Sequence, residues 1–199
     1  EQLPDTDIHA ILYAIGADPS TDGATLEAEQ LDLVALVVDE LSIPVAVKIS
    51  PFYTSVASFV VGVQAAGASG IVMFNRFYLP DLDLETLTVE PRISLSNQGE
   101  LRLPLRWTGI VRDLVSMSIA GSTGVHTGLD VAKLLLVGAD VAMTTSALLH
   151  HGAGHVAVIT EELRTWMARH SYGSVDELRG AVSHRAVPDP NAFERANFV

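Results

Sequence analysis

Cysteine is absent from the 199 residues, which excludes disulfides, thiolate metal ligands and cysteine nucleophiles. Lysine is nearly absent as well. Lys48 and Lys133 are the only two, and Lys and Arg together number 12 against 24 Asp and Glu. The formal net charge of −12 and a pI near 4.8 leave no basic stripe to neutralise phosphates, so a nucleic-acid partner is excluded. No apolar run approaches the ~20 residues of a membrane span, so no membrane partner is expected. The lack of cysteine fits a cytoplasmic location, which is the expected one.

Apolar material, in contrast, is ample: 48% of residues are hydrophobic and the mean hydropathy is +0.32. A chain of 21.2 kDa with that composition is expected to form a single domain over residues 1–199. It begins at Glu1 rather than methionine and is expected to be part of something longer.

A strand–helix rhythm runs along the chain. His9–Ile15 is an apolar run closed by Gly16-Ala17-Asp18-Pro19. From Leu26 to Leu41, Leu31, Val34, Ala35, Val38 and Leu41 recur at three- and four-residue steps, which predicts a helix. An Ile43–Pro51 strand, a Ser55–Ala66 helix closed by Gly67, and a Gly70–Phe74 strand follow. Val115–Ala120 reads as a further strand. Thr127 with Asp130 forms a capping box for the next helix. Asp140–Thr144 is the last clear strand, with helices predicted over His155–His170 and after Ser174, where Glu177 completes the cap. The junctions Ala66-Gly67-Ala68 and Val137-Gly138-Ala139 look alike, each a helix end followed by a buried strand. Short apolar strands alternating with helices indicate a parallel sheet, in an α/β fold. Between Tyr78 and Arg106 the rhythm breaks. Leu87-Thr88-Val89 and Ile93-Ser94-Leu95, near Asn97-Gln98-Gly99, suggest a hairpin excursion in a βα loop. Two architectures remain open on this pattern: a (β/α)8 TIM barrel lacking its first strands, and a doubly wound open sheet.

Three places carry chemistry. In the strand around Lys48, Val45, Val47 and Ile49 fall on one face, and Ala46, Lys48 and Ser50 on the other. Burying an ammonium costs several kcal/mol unless it is paired. Lys48 therefore reaches solvent at a sheet edge or points into a ligand pocket, and the second is expected. The stretch Gly121-Ser122-Thr123-Gly124-Val125 runs from a strand into a capped helix, where backbone N–H groups can meet an anion. Thr144-Thr145-Ser146 repeats that arrangement after the next strand. Two such loops on consecutive strands can share one phosphate.

The segments AVKISP, MFNRF, IAGSTGVHTG and GADVAMTTSALL, in this order, resemble the FMN-dependent dihydroorotate dehydrogenases, above all the dihydroorotate dehydrogenase-like proteins of the class 1 type. The resemblance covers nearly the whole chain and implies about the later five-eighths of a (β/α)8 barrel. It implies an FMN oxidoreductase acting on a CH–CH bond, dihydroorotate to orotate in pyrimidine biosynthesis. By the same resemblance Lys48 reaches the flavin ring, Phe74 touches it through its backbone, and Asn75 faces the substrate. Arg76, next in the sequence, is open to two readings, a contact to an acidic substrate and an ion pair at the rim. Gly121, Ser122, Thr123 and Gly124 match the first phosphate loop, where the family usually has two adjacent glycines and this chain has Thr123-Gly124. Thr145 and Ser146 match the second loop, usually Gly-Thr or Gly-Ser. The family's Asn-x-x-Cys-Pro-Asn stretch, which carries the general base, falls on Ile11–Gly16; its asparagine becomes Ile11 and its cysteine Ala14. Neither can take a proton, and Tyr13 nearby would need a strongly lowered pKa. Flavin binding is expected to survive this and dihydroorotate turnover to be weak.

A small-molecule substrate is implied, with a second copy or an electron-transfer protein as the macromolecular partner. Two rival functions share these residues: a phosphate-ligand-binding barrel without redox turnover, and a barrel enzyme in which Lys48 forms a Schiff base. His150, His151 and His155 are expected to be solvated rather than to bind metal, and the Asp81, Asp83, Glu85 cluster to be hydrated surface. His126 lies beside the first phosphate loop, where it could cover a phosphate or the flavin edge. Trp107 and Trp166 are expected in the core.

Overall fold

The computed structural model describes residues 20, 22–76, 79–90 and 94–194. The first predicted strand, His9–Ile15, and with it Ile11, Tyr13 and Ala14, lies outside the described residues.

Helix α1 (Gly23–Glu40) starts at Asp22, whose carboxylate accepts the N–H of Ala24. Strand β1 (Ala46–Ile49) leads to α2 (Val56–Ala65), capped by the Ser55 hydroxyl, and then to β2 (Gly70–Met73). The excursion follows as a hairpin, β3 (Asp81–Asp83) against β4 (Thr88–Glu90). A 3-10 turn (Gln98–Leu101) runs into α3 (Arg102–Val111), followed by β5 (Ser118–Ser122), α4 (Gly128–Leu136) and β6 (Val141–Met143). The remainder is helical: α5 (Ser146–His151), α6 (His155–Arg169), α7 (Val175–Leu178) and α8 (Asn191–Glu194). The twin junctions behave as their sequence implies. Gly67 and Gly138 both close a helix at positive φ, +91° and +111°.

Four strands form one parallel sheet in the order β1-β2-β5-β6, so neighbours in the sheet follow one another along the chain. Its two faces differ. Ile49, Ile71, Met73 and Ile119 are buried in one cluster with Val56, Phe59, Val60 and Val63 of α2 and Val111 of α3. On the same side Leu134 of α4 lies over Gly121, within 2.6 Å of where a Cβ would stand. Residues on the other face share the register Lys48–Val72–Ala120–Val141. Among the described residues that face is open: Lys48 is exposed, and Val141 and Met143 are 50% and 41% exposed.

Five expectations need correction. The hairpin pairs Asp81–Asp83 with Thr88–Glu90, while Ser94 and Leu95 are not in a strand. Asn97-Gln98-Gly99 opens the 3-10 turn, with Asn97 and Glu100 forming a capping box. The strand foreseen from Val115 begins at Ser118, because Gln64 Oε1 accepts the N–H groups of Ser116 (2.6 Å) and Met117 (3.0 Å) and ties off the approach. Helix α3 begins before Arg106, inside the stretch read as irregular; Pro104 sits in its first turn, where no N–H is needed. Finally, Trp107 is partly buried against the main core, but Trp166 stacks on His170 (4.3 Å) and Tyr172 (5.8 Å) beside a surface groove and is not a core residue.

Candidate functional site

The four parallel strands end on one side, and there their C-terminal residues surround a cavity of about 200 Å³. Strand β1 contributes Lys48, β2 leads to Asn75 and Arg76, β5 to Ser122–Val125, and β6 to Met143–Ser146. Eight residues singled out in the sequence, Lys48, Asn75, Arg76, Ser122, Thr123, Gly124, Thr145 and Ser146, line this one cavity. The carboxyl ends of parallel strands are where such sheets hold ligands.

Two other predicted residues stand apart. Gly121 is buried inside β5, where its missing side chain admits Leu134 of α4 rather than a ligand. Phe74 is buried, and its carbonyl accepts the Thr123 hydroxyl at 3.3 Å. Asn75 is fixed by its backbone N–H, donated to the Ile49 carbonyl at 2.8 Å.

The first loop is held in an unusual conformation. Thr123 and Gly124 have consecutive positive φ values, +83° and +77°. Successive N–H groups in such a turn can converge on an anion, and among the described residues no protein group accepts the N–H of Thr123 or Gly124. Thr123 thus keeps a glycine-like backbone without being glycine. Gly124 has no alternative, since a Cβ there would stand 2.3 Å from the Leu101 N of the 3-10 turn.

Behind the loop, Asp130 is 1% exposed. Its Oδ2 accepts from Gln98 Nε2 (2.9 Å), the Thr127 hydroxyl (2.9 Å) and the N–H groups of Thr127 (3.0 Å) and His126 (3.2 Å). Burial raises its pKa, but the hydrogen bonds from Gln98, Thr127 and His126 outweigh burial and hold it below 3.8. A buried carboxylate thereby joins the helix start at Thr127 to the 3-10 turn. The second loop is joined to the same segment, because Ser96 donates its N–H (3.0 Å) and hydroxyl (2.8 Å) to Ser146 Oγ. The Thr144 hydroxyl donates to the Val125 carbonyl at 2.7 Å, linking the two loops directly.

Ser96 also lines the cavity and was not legible in the sequence. It sits in an irregular segment, and nothing local marks a serine that will meet Ser146 50 residues later.

The cations are arranged differently from one another. Lys48 makes no side-chain contact with a described carboxylate. Arg76 is paired: its Nε lies 2.9 Å from Glu100 Oε2, and it also donates to the Ser94 carbonyl. Among the described residues the cavity walls thus carry two positive residues and no Asp or Glu, with Glu100 reaching Arg76 from outside.

His126 does not line the cavity; its Nε2 is buried without a hydrogen-bond partner among the described residues, and its carbonyl lies 3.2 Å from His155 Nε2. His151 and His155 face each other with ring centroids 4.6 Å apart. Asp83 caps its own turn, accepting the N–H groups of Glu85 (2.8 Å) and Thr86 (3.1 Å). Among the described residues no three His, Asp or Glu side chains are grouped to hold a metal, and no helix is long and apolar enough to cross a membrane.

No protein-family model matches the chain. Curated relatives do. It is 32% identical over 171 residues to the catalytic subunit of dihydroorotate dehydrogenase B (NAD(+)) of Bacillus pumilus, covering 84% of this chain and 52% of the relative. It is 26% identical over 153 residues to the chloroplastic dihydropyrimidine dehydrogenase (NADP(+)) of Arabidopsis thaliana, covering 70% and 36%. It is 26% identical over 147 residues to dihydroorotate dehydrogenase A (fumarate) of Lactobacillus helveticus, covering 71% and 47%. The chain thus spans about half the length, or less, of these relatives. Over most of its own length it is a dihydroorotate dehydrogenase-like chain.

Proposed function

We propose that residues 1–199 are the FMN-anchoring part of a dihydroorotate dehydrogenase-like oxidoreductase, built as one domain from the later strands of a (β/α)8 barrel. The observation that carries this reading is the strand-end cavity. Lys48, two loops with hydroxyl and backbone donors, and Arg76 meet there without a lining carboxylate among the described residues, in a chain of net charge −12. The sheet supports the barrel. Among the described residues its strands follow in sequential order and its helices pack on one face, whereas a doubly wound sheet reverses its order and carries helices on both faces. The open face then corresponds to a barrel interior.

The residues present fit a flavin mononucleotide. A cavity of about 200 Å³ falls below the ~300–1,000 Å³ of complete small-molecule sites, so it suits the phosphate end of a nucleotide rather than the whole. Thr123, Gly124, Thr145 and Ser146 would bind that phosphate, and Lys48 would supply a positive charge near the ring. FMN, when bound, supplies a hydride-accepting ring. The chain's own part is to fix the phosphate, to balance negative charge with Lys48, and to present the Asn75 amide to a substrate.

Dihydroorotate is the substrate the relatives' names suggest, and the base position reads Ala14. A positioned base contributes roughly 10²–10⁴-fold in rate. Anaerobic mixing of the flavin-loaded protein with dihydroorotate is therefore expected to bleach the flavin slower than in a class 1 relative by about that factor. Bleaching at the relative's rate would mean that another residue serves as base. The rival Schiff-base reading of Lys48 predicts instead that borohydride traps a carbonyl ligand on Lys48, readable by peptide mass.

A further inference from the structure

A second cavity, about 420 Å³, opens beside the first and shares Asn75, Arg76 and Thr123 with it. It is large enough for a small molecule of its own. Its walls are chiefly apolar: Phe52 after β1, the buried Phe74, Leu79, and Leu103 with Pro104 in the first turn of α3. Phe52 and Leu79 are each 75% exposed, and a cluster of exposed apolar side chains around a concavity marks a binding surface.

Its charges are two guanidiniums, Arg76 and Arg102, and one carboxylate, Glu100. Arg76 is taken up by Glu100 and by the Ser94 carbonyl. Arg102 makes no side-chain hydrogen bond or ion pair among the described residues. One unspent positive charge thus stands on an apolar wall of an acidic chain. Arginine matches a carboxylate with two parallel N–H groups. Beyond Asn75 and Thr123, which it shares with the first cavity, the described walls offer no neutral polar side chain for the carbonyl and N–H edges of a pyrimidine ring. Burying such edges unpaired costs about 1–3 kcal/mol each.

We propose that this cavity takes the apolar body of a small organic acid, with its carboxylate held by Arg102. The inference rests on the reading of the neighbouring cavity as the cofactor anchor, because Asn75, Arg76 and Thr123 would bring the acid beside that cofactor. The substrate so selected is a carboxylate with a flat or branched hydrocarbon body, more apolar than dihydroorotate.

Calorimetric titration of the FMN-loaded full chain with three probes tests this: 4-phenylbutyrate, the neutral 4-phenylbutanol, and orotate. The acid is expected to bind about tenfold tighter than either of the others, the worth of one charge-assisted contact. Arg102→Gln should abolish its advantage over the alcohol, and Leu103→Asn should weaken both phenyl probes, with FMN retention unchanged in each. Equal binding of acid and alcohol, tighter binding of orotate, or an unchanged affinity for 4-phenylbutyrate in Arg102→Gln would overturn the proposal. Should the chain retain no FMN, the same titrations on the unloaded chain still decide the acid site. The flavin spectrum and the calorimetry therefore report the two readings separately.

Discussion

Thr123 holds a β-branched side chain at φ +83°, where a non-glycine residue costs about 1–2 kcal/mol. Its hydroxyl recovers part of that through the Phe74 carbonyl, a bond with a net worth of about 0.5–1.5 kcal/mol. Thr123→Gly should therefore be near neutral in urea unfolding, whereas Thr123→Ala keeps the strain, loses the bond and should fall about 1 kcal/mol below Thr123→Gly. Equal stability of the two variants would mean the loop relaxes. Asp130 is the other residue on which the loop depends. Asp130→Ala would leave the half-buried N–H groups of Thr127 and His126 without their acceptor, at up to about 1–3 kcal/mol for each donor that water does not reach, while the exposed Gln98 can turn to solvent. The pH dependence has a definite sign. The folded carboxylate titrates below 3.8, so its stabilisation is complete above that value and is lost as pH falls through the folded pKa. As pH falls below 3.8, stability should decline more steeply in the wild type than in Asp130→Asn, measured by urea midpoints. The sequence showed the Thr127–Asp130 capping box plainly, because both partners lie within one helical turn. The Gln98 contact crosses 32 residues and left no local trace.

Among the elements, helices and buried strands were legible wherever the apolar period was strong: α1, α2, β1, β2, α4, α6 and the cap at Ser174 fall close to where the periodicity puts them. The hairpin was legible in kind and misplaced in register. Its first strand is Asp-Leu-Asp, with no β-branched residue, and it pairs only because Thr88–Glu90 lies opposite. The start of β5 depends on Gln64, a side chain more than 50 residues away. One close contact between elements was likewise invisible. Gly128 at the start of α4 meets α6 so closely that a Cβ would stand 2.4 Å from Leu163 N and 2.5 Å from Ile159 O. Gly128→Ala should therefore separate the two helices and cost about 1–3 kcal/mol or more. Gly154→Ala, where a Cβ would meet nothing within 4 Å, is the matched control. Chemical denaturation of both variants measures the contrast, and equal stability would contradict the packing.

For the molecule as a whole, the unequal faces of the sheet matter most. All-parallel sheets are ordinarily covered on both sides, yet the face carrying Lys48, Val141 and Met143 is open among the described residues, and β1 and β6 are free edges there. Leu33 and Leu36 of α1 are exposed as well, at 60% and 64%. Unpaired edges and open apolar surface favour association. Residues 1–199 alone should therefore self-associate or bind apolar dyes, as sedimentation velocity across a concentration series would show. A well-dispersed monomer with one cooperative thermal transition would favour an autonomous open sheet over part of a barrel. The central claim, that the strand-end cavity anchors the phosphate of FMN, is tested most directly by comparing FMN with riboflavin, which has the same ring and no phosphate. After titration and gel filtration, the absorbance spectrum should show retained FMN, with riboflavin bound about a hundredfold more weakly, as loss of one to two charge-assisted hydrogen bonds implies. Equal retention of the two flavins, or retention of neither, would contradict it.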